Sequence, residues 1–278
     1  MSAKAKEPIV ITSAKFLEFP DLREISAYKD LLYFLVRRDM KVRFQQTVIG
    51  VLWIVLQPLL QLAIFYFIFS QIARISTDNI PYPVFYLSGY VIWQLLNQIV
   101  NGSAQSLLGN IYLLTKAYFP RLILPLSVTL TAIVDFVVTF LILIVFLLLH
   151  HYTFNIRYLF IPLIVLLALI FSLGVGLIFG ALMVVFRDVK NLIGFIMQLW
   201  MFASPVIYPA SQVPEHLKPL FYLNPMTGLI DAFRWVLFDG YKLPSLNYFV
   251  FSTISAVIIL IIGVLVFRSM ETRIADIM

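Results

Sequence analysis

A basic segment that runs directly into a long uncharged segment is the feature that most constrains this fold. Residues 37–43 read RRDMKVR, and residues 44–73 contain no charged side chain. A bilayer core about 30 Å thick needs roughly 20 apolar helical residues to cross it. The junction therefore predicts a helix that leaves the membrane surface and enters lipid, with its basic, amino-terminal side in the cytoplasm.

The composition extends this conclusion to the whole chain. Of 278 residues, 62% are hydrophobic and 12% are charged, whereas soluble domains carry roughly 25% charged residues. The net charge of +6 does not indicate nucleic-acid binding, because the Lys and Arg residues lie at the ends of apolar runs, where membrane anchoring accounts for them. Cysteine is absent, which excludes disulfides, thiolate zinc sites and cysteine nucleophiles.

Six apolar segments predict an all-α membrane protein with six transmembrane helices. They are residues 48–72, 84–108, 122–149, 158–186, 192–208 and 248–267. Six spans place both termini on one side of the membrane. With that side cytoplasmic, 15 Lys and Arg residues lie inside and 5 outside, which satisfies the positive-inside rule.

The segments on either side of these spans complete the predicted organisation. It consists of a cytoplasmic amino-terminal segment, 1–43, a six-helix domain, 44–268, and a cytoplasmic tail, 269–278. Apolar and basic residues alternate at helical spacing before the first span, which predicts an amphipathic helix on the inner leaflet. A soluble helix packed on a partner is the alternative. The basic residues that we expect on this interfacial helix are Arg37, Arg38, Lys41 and Arg43.

The stretch between the fifth and sixth spans is apolar instead of forming a polar loop. Residues 209–247 are rich in large hydrophobic side chains, and Pro225 and Gly228 interrupt them. Irregular backbone is tolerated at membrane depth where protein buries it or where it lines a cavity. We therefore expect two re-entrant half-helices that dip into the outer leaflet.

Polar side chains inside the spans are the candidates for function. The second span carries four amides at offsets of 3, 4 and 7, which share one helix face, and the first span carries two amides four residues apart. Hydrogen bonding between helices is one interpretation, and the wall of a polar pathway is the other. Amides suit sugar hydroxyls, and nearby aromatic rings stack on sugars, although each ring is also explained by packing. The pathway candidates are Gln57, Gln61, Trp93, Gln94, Asn97, Gln98, Asn101, Trp200, Phe202 and Tyr208.

Three other features have a structural or docking interpretation. Asp135 is the acidic residue that lies well inside a span, and without companions for a proton relay we expect a hydrogen bond or ion pair near the cytoplasmic end. Ser172, Gly176 and Gly180 predict close helix approach. The cytoplasmic loop 110–121 carries exposed apolar residues, which are typical of a docking surface.

No catalytic or metal-binding motif is present in the sequence. It has no G-x-x-x-x-G-K-[ST] phosphate loop, no G-x-S-x-G and no H-E-x-x-H, and its three histidines lack metal-ligand spacing. We therefore expect no catalytic residue, no metal and no cofactor in this chain. Energy for transport would come from another chain or from an ion gradient.

Four stretches of the sequence carry a resemblance to a known family. They are RRDMKVRFQQTVIGVLWIVLQPLL at 37–60, TKAYFPRLILPLS at 115–127, FRDVKNL at 186–192 and LNPMTGLIDAFRWVLFDG at 223–240. These stretches resemble the permeases of type-2 ABC exporters, most closely those that export bacterial surface polysaccharides such as O-antigen. They occur in the family's order, and the resemblance covers nearly the whole chain.

The resemblance implies a complex and a division of labour. Two permease copies would pair with two copies of a separate ATPase, which binds ATP and Mg²⁺ and drives a lipid-linked polysaccharide across the bacterial inner membrane. It also implies that residues 25–43 form the interfacial helix, 214–239 the re-entrant pair and 110–121 the coupling helix. The expected ATPase-coupling residues are Tyr112, Leu113, Lys116, Tyr118, Phe119, Arg121, Arg187 and Asp188.

Other functions remain open from the sequence. Exporters of teichoic acid or capsule look similar, and an exporter of small hydrophobic drugs belongs to the same superfamily. An ion-coupled secondary transporter would need inverted repeats and several intramembrane acids, whereas the spans carry one such acid and no obvious repeat. A purely structural scaffold leaves the amide stripe unexplained.

Overall fold

The computed structural model describes residues 22–45, 49–116, 118–153, 155–186, 188–242 and 245–277, and these residues form helices and no strand. The amino-terminal and central helices are α1 (Leu22–Ala27), α2 (Lys29–Phe44), α3 (Leu52–Phe65), α4 (Tyr82–Gly109), α5 (Ile111–Lys116) and α6 (Ile123–Leu149). The remaining α-helices are α7 (Ile161–Val185), α8 (Val189–Phe202), α9 (Lys218–Tyr222), α10 (Pro225–Leu237) and α11 (Leu246–Ile277).

Shorter helical turns extend or link these helices. A π-helix, Tyr66–Ile72, continues α3, and a 3₁₀ turn, Ile156–Phe160, leads into α7. Two further 3₁₀ turns, Ala210–Gln212 and Glu215–Leu217, precede α9. The all-helical architecture agrees with the sequence prediction.

Helix α4 is the centre of the bundle. It packs along α6 and α7, and α7 packs in turn along α11. Most of its side chains are buried, including large ones such as Tyr86, Tyr90 and Leu96. The core therefore surrounds a helix that also carries the amide stripe, so the polar residues of α4 must find partners or a cavity.

Close backbone contacts fix α7 between its two neighbours. A Cβ atom on Gly176 would lie 2.9 Å from the Cβ of Ser103 in α4, and one on Gly180 would lie 3.3 Å from the Ser103 carbonyl oxygen. A Cβ atom on Gly174 would lie 2.6 Å from the backbone nitrogen of Leu260 in α11. The predicted small-residue face of this span is therefore confirmed as a close helix contact.

One end of the bundle carries α2 and α5. Leu35 of α2 is fully buried there, in a cluster with Leu107, Phe119, Ile123 and other residues from the ends of α4, α6, α7 and α11. On α2, Tyr33, Phe34 and Val42 remain exposed. Exposed apolar side chains on a helix with basic neighbours are typical of an interfacial helix.

The basic residues of α2 point to different partners. Arg37 and Lys41 are exposed, while Arg38 donates to the carboxylate of adjacent Asp39 from Nε at 2.9 Å. Arg43, at the far end of α2, forms an ion pair with Asp135 of α6. Helix α2 therefore packs along α6 from the buried Leu35 to the level of Asp135.

The opposite end of the bundle carries α9 and α10, the region predicted as re-entrant half-helices. Arg234 of α10 is fully buried, with its guanidinium 3.6 Å from the centre of the Phe85 ring. It donates from Nε to the Ser88 hydroxyl at 3.2 Å, and from Nη2 to the carbonyl oxygens of Phe85 at 3.1 Å and Val206 at 3.3 Å. These bonds fasten α10 to the start of α4.

Four helical segments of the described chain are long and apolar enough to cross a membrane: Leu52–Ile72, Ile123–Leu149, Ile156–Val185 and Leu246–Met270. They correspond to the first, third, fourth and sixth predicted spans, although residue 48 lies outside the described residues. The second predicted span is the 28-residue α4, whose amides reduce its apolar character. The fifth is α8, which has 14 residues and ends at Phe202 instead of 208.

Candidate translocation pathway

An open cavity of about 190 Å³ lies between α3, α4 and α8. It brings together four predicted pathway residues, Gln61, Trp93, Gln94 and Asn97, with five that were not predicted. The five are Tyr90, Gly194, Met197, Gln198 and Met201. The cavity therefore joins amides from three different helices with aromatic rings and methionines.

Helical spacing places these residues on facing stripes. On α4, Tyr90, Trp93, Gln94 and Asn97 follow offsets of 3, 4 and 7, and the α8 lining residues follow the same offsets from Gly194 to Met201. A Cβ atom added to Gly194 would meet no heavy atom within 4 Å, so the space beside this residue is open. Both helices thus present one continuous face to the cavity.

The chemistry of this lining is neutral and hydrogen-bonding. Gln61, Gln94, Asn97 and Gln198 each carry a carboxamide, which offers both donors and acceptors, and none of the described lining residues is charged. Such a surface suits a hydroxyl-rich solute, because each hydroxyl both donates and accepts. It gives no strong site for an isolated ion.

Tyr90 and Trp93 form the aromatic part of the wall, and Trp200 supports Trp93. The rings of Trp93 and Trp200 meet edge to face with centroids 6.3 Å apart, and Trp200 meets Phe171 in the same way at 5.9 Å. The Trp200 indole N–H donates to Asn224 Oδ1 at 2.9 Å. Trp200 therefore braces Trp93 from behind and ties α8 to the start of α10, so it supports the wall without being among the cavity-lining residues.

Asn224 completes this brace. Its amide nitrogen donates to the Ala203 carbonyl oxygen at 3.1 Å and to the Ser204 hydroxyl at 2.8 Å, and its Oδ1 accepts the Met226 backbone N–H at 3.1 Å. The last contact caps α10. One side chain thus fixes the end of α8 against the beginning of α10.

The other predicted pathway residues lie away from this cavity. Asn101 donates to Asn97 Oδ1 at 2.9 Å and so orients that amide, while Gln57 is half-buried on α3. Phe202 is exposed at the end of α8, and the Tyr208 hydroxyl donates to its carbonyl oxygen at 2.6 Å. Asn101 therefore supports the lining, whereas Gln57, Phe202 and Tyr208 do not line this cavity.

Gln98 lines a different cavity, of about 240 Å³, between α2, α4 and α6. Its other lining residues are Asp39, Arg43, Val128, Thr131 and Ala132. The predicted α4 stripe therefore divides between two cavities. Each four-residue step rotates the side chain by about 40°, so that Gln98 lies about 80° around the helix from Tyr90, on the side toward α6. The ion pair expected for Asp135 is confirmed beside this second cavity.

Sequence reasoning missed Tyr90 and Gln198. Gln198 is the amide in the apolar part, LIGFIMQLWMF, of the short helix α8, and that contrast is a signal that the sequence carries. Tyr90 belongs to a run of tyrosines at positions 82, 86 and 90, where the rings of Tyr86 and Tyr90 stack with centroids 5.4 Å apart. Only the position of α8 against α4 distinguishes Tyr90 from a packing residue.

The loop around α5 exposes part of the predicted docking surface. Tyr112 and Tyr118 are exposed by 78% and 62%, Lys116 and Asp188 are exposed, and Leu113 and Arg121 are half-buried. Phe119 differs from the expectation of an exposed apolar residue, because it is buried in the cluster around Leu35. Arg187 lies outside the described residues.

Comparison with known proteins identifies this architecture. The family model for the ABC-2 type transporter matches residues 30–238. The chain is 31% identical to an O-antigen export system permease protein RfbA of Klebsiella pneumoniae over 90% of its length and 95% of the relative's. It is 29% identical to RfbA of Myxococcus xanthus over 92% of its length and 98% of the relative's.

A more distant relative is the polysialic acid transport protein KpsM of Escherichia coli, which is 25% identical over 84% of this chain and 91% of its own length. The RfbA relatives are named as permease proteins of O-antigen export systems, which are transport components. The resemblance noted in the sequence is thus confirmed over most of the chain. The chain belongs to the ABC-2 type transporter family.

Proposed function

We propose that this chain is the permease subunit of an ATP-driven exporter that moves a lipid-linked, O-antigen-like polysaccharide across the bacterial inner membrane. The observation that carries the proposal is the neutral amide and aromatic cavity between α3, α4 and α8. Its carboxamides suit sugar hydroxyls, and Trp93 and Tyr90 provide aromatic faces. The kinship with O-antigen export permeases supports the same substrate class.

The proposed membrane arrangement has six spans, with α4 and α8 as the second and fifth. Both termini, α2 and α5 lie on the cytoplasmic side, and α9 with α10 forms the re-entrant pair on the outer side. At 14 residues, α8 extends about 21 Å, which is shorter than a ~30 Å core. In this arrangement the segment after Phe202, tied to Asn224, covers the remaining depth.

The proposed assembly is a homodimer of permeases with two copies of an ATPase that binds ATP and Mg²⁺. Helices α3 and α8 flank the open side of the cavity and leave apolar side chains exposed, including Leu60, Ile64, Phe195 and Leu199. A second copy placed there by two-fold symmetry would cover these side chains and enclose the cavity. The exposed Tyr112 and Tyr118 around α5 would contact the ATPase.

Replacement of the cavity amides tests the function. Cells that carry Gln94→Leu, Asn97→Leu and Gln198→Leu together should lose most surface polysaccharide, measured by immunoblot of whole cells, because hydroxyl partners disappear from the wall. The control is Gln105→Leu, since Gln105 lies on α4 but is exposed and outside the cavity. Normal surface polysaccharide at normal levels of the triple variant would reject the pathway.

A further inference from the structure

A third and larger cavity lies at the α10 end of the bundle and shares no lining residue with the amide cavity. Its volume is about 700 Å³, within the ~300–1,000 Å³ range of small-molecule sites. It is lined by the loop between α3 and α4, by Tyr152 after α6, by the turn that contains Ala210 and Ser211, and by residues from α9 to the start of α11. Under the proposed orientation it opens to the outside of the membrane.

The floor of this cavity is a buried carboxylate held by two tyrosines. Asp231 is 2% exposed and accepts a hydrogen bond from Tyr222 at 2.8 Å and another from Tyr241 at 2.9 Å. Burial raises the pKa of the Tyr241 hydroxyl, and the Asp231 charge raises it further. The Tyr241 hydroxyl therefore stays protonated and continues to donate to Asp231.

The aromatic walls are also well fixed. The rings of Tyr222 and Tyr248 stack face to face with centroids 4.0 Å apart and planes within 1°. Tyr152 meets Phe238 edge to face at 5.3 Å. The walls thus have a preformed shape, which lowers the entropy cost of binding a ligand.

Polar groups without a partner line the same space. Within the described part of the chain, no hydrogen bond engages the hydroxyls of Tyr152 and Tyr248, the Asn79 amide or the Lys242 ammonium, although each residue lines the cavity. Asn79 is held in the left-handed region at φ 65°. This set combines donors with acceptors around aromatic rings.

The lining argues against other ligand classes. The lining carries three carboxylates, from Asp78, Asp231 and Asp239, and two ammonium groups, from Lys218 and Lys242, so a phosphate would meet like charge. The described residues contain no cluster of three His, Asp or Glu side chains placed to hold a metal ion. An acyl chain would leave the polar groups of the lining unpaired.

We propose that this cavity is a saccharide-binding site on the outer side of the permease, which receives sugar units of the exported glycan as they leave the amide cavity. The proposal rests on the proposed function. Hydroxyls of the sugar would form hydrogen bonds with the hydroxyls of Tyr152 and Tyr248, the Asn79 amide and the Lys242 ammonium. The tyrosine rings would contact the C–H faces of the sugar ring.

Direct binding tests the site. The full-length protein in lipid nanodiscs is titrated with oligosaccharides released from the surface polysaccharide of the producing cells, and binding is followed by calorimetry. Wild type should bind saturably. Ser245→Trp should abolish binding, because Ser245 lines the cavity and a Trp ring would fill it. The control is Asn247→Trp, at an exposed position of α11 outside the lining.

A second variant keeps the test decisive if Ser245→Trp fails to fold. Tyr152→Phe with Tyr248→Phe keeps the ring contacts and removes two free hydroxyls, and it should weaken binding about tenfold. No binding to wild type, or equal binding by wild type and the double variant, would overturn the site. The amide-cavity variants would still lose surface polysaccharide in that case, so the proposed function would survive. Unchanged polysaccharide in a strain without this permease would overturn both.

Discussion

Arg43, at the end of α2, forms an ion pair with Asp135, which lies near the middle of α6. The Asp135 side chain is 2% exposed and that of Arg43 is 37% exposed. The second carboxylate oxygen of Asp135 has no hydrogen-bond partner among the described residues. Arg43 is therefore the main compensation for a buried charge, and it links the helix beside the proposed ATPase to the interior of the bundle.

Removal of Arg43 should destabilise the permease. Arg43→Met leaves the buried carboxylate unpaired, and we expect a loss of about 1–3 kcal/mol in the free energy of unfolding in mixed micelles. The double variant with Asp135→Leu should recover most of it, because neither charge remains. Arg38→Met is the control, since its partner Asp39 is 30% exposed and the pair contributes less than about 1 kcal/mol. Equal losses for Arg43→Met and Arg38→Met would contradict this assignment.

Arg234 should tolerate no replacement by lysine. Its guanidinium bonds Ser88, Phe85 and Val206 at once, and an ammonium group cannot span the three acceptors. We expect Arg234→Lys to lower the free energy of unfolding by about 3–5 kcal/mol. The matched control is Arg157→Lys, because Arg157 lies 5.0 Å from the Trp235 ring but is 34% exposed. Similar losses for both variants would show that α10 is not anchored through Arg234.

The long apolar helices could be predicted from the sequence, because a long apolar run that crosses lipid has to satisfy its own backbone hydrogen bonds and therefore forms a helix. The sequence also predicted a hydrogen bond or an ion pair for Asp135 and the close approach at Gly176 and Gly180, since a buried charge or a missing side chain has few explanations. The sequence did not predict features that depend on how helices distant in sequence pack against one another. The buried position of Phe119 follows from how α2 crosses the end of α6, and no local pattern in residues 110–121 encodes that crossing.

For the same reason, only part of the candidate site could be predicted from the sequence. Helical spacing correctly placed Gln94 and Asn97 on one face, but it could not say which neighbour each amide meets. The structure turns Gln98 toward α2 and α6 and adds Gln198 from α8 to the cavity. The cavity on the α10 end could not be predicted at all, because its lining brings together residues 78–80, 152 and 210–248, three parts of the chain that are distant in sequence.

Close packing of α7 on α11 should make Gly174 intolerant of any side chain. A Cβ atom there would lie 2.6 Å from the Leu260 nitrogen and 2.7 Å from the Ile259 carbonyl oxygen, both of which are backbone atoms that cannot rotate away. We expect Gly174→Ala to cost about 1–3 kcal/mol and to lower the thermal unfolding midpoint. Gly109→Ala is the control, since nothing lies within 4 Å of its Cβ position and alanine favours helix. An unchanged midpoint for Gly174→Ala would contradict the packing.

The exposed tyrosines around α5 should be needed for ATPase binding. Tyr112 and Tyr118 are exposed by 78% and 62%, so Tyr112→Asp with Tyr118→Asp changes the docking surface while leaving the core intact. We expect the ATPase to stop copurifying with the double variant, while the thermal unfolding midpoint of the permease stays within a few degrees of wild type.

Phe119→Asp separates docking from folding in the same assay. Phe119 is 5% exposed and packs in the cluster with Leu35 and Leu107, so a carboxylate there is buried without a partner. This variant should lose stability before it loses the ATPase, with a lower unfolding midpoint and a reduced yield of permease. Full ATPase copurification with the Tyr112 and Tyr118 double variant would reject α5 and its flanks as the contact. A stable Phe119→Asp variant that fails to bind ATPase would instead return Phe119 to the docking surface.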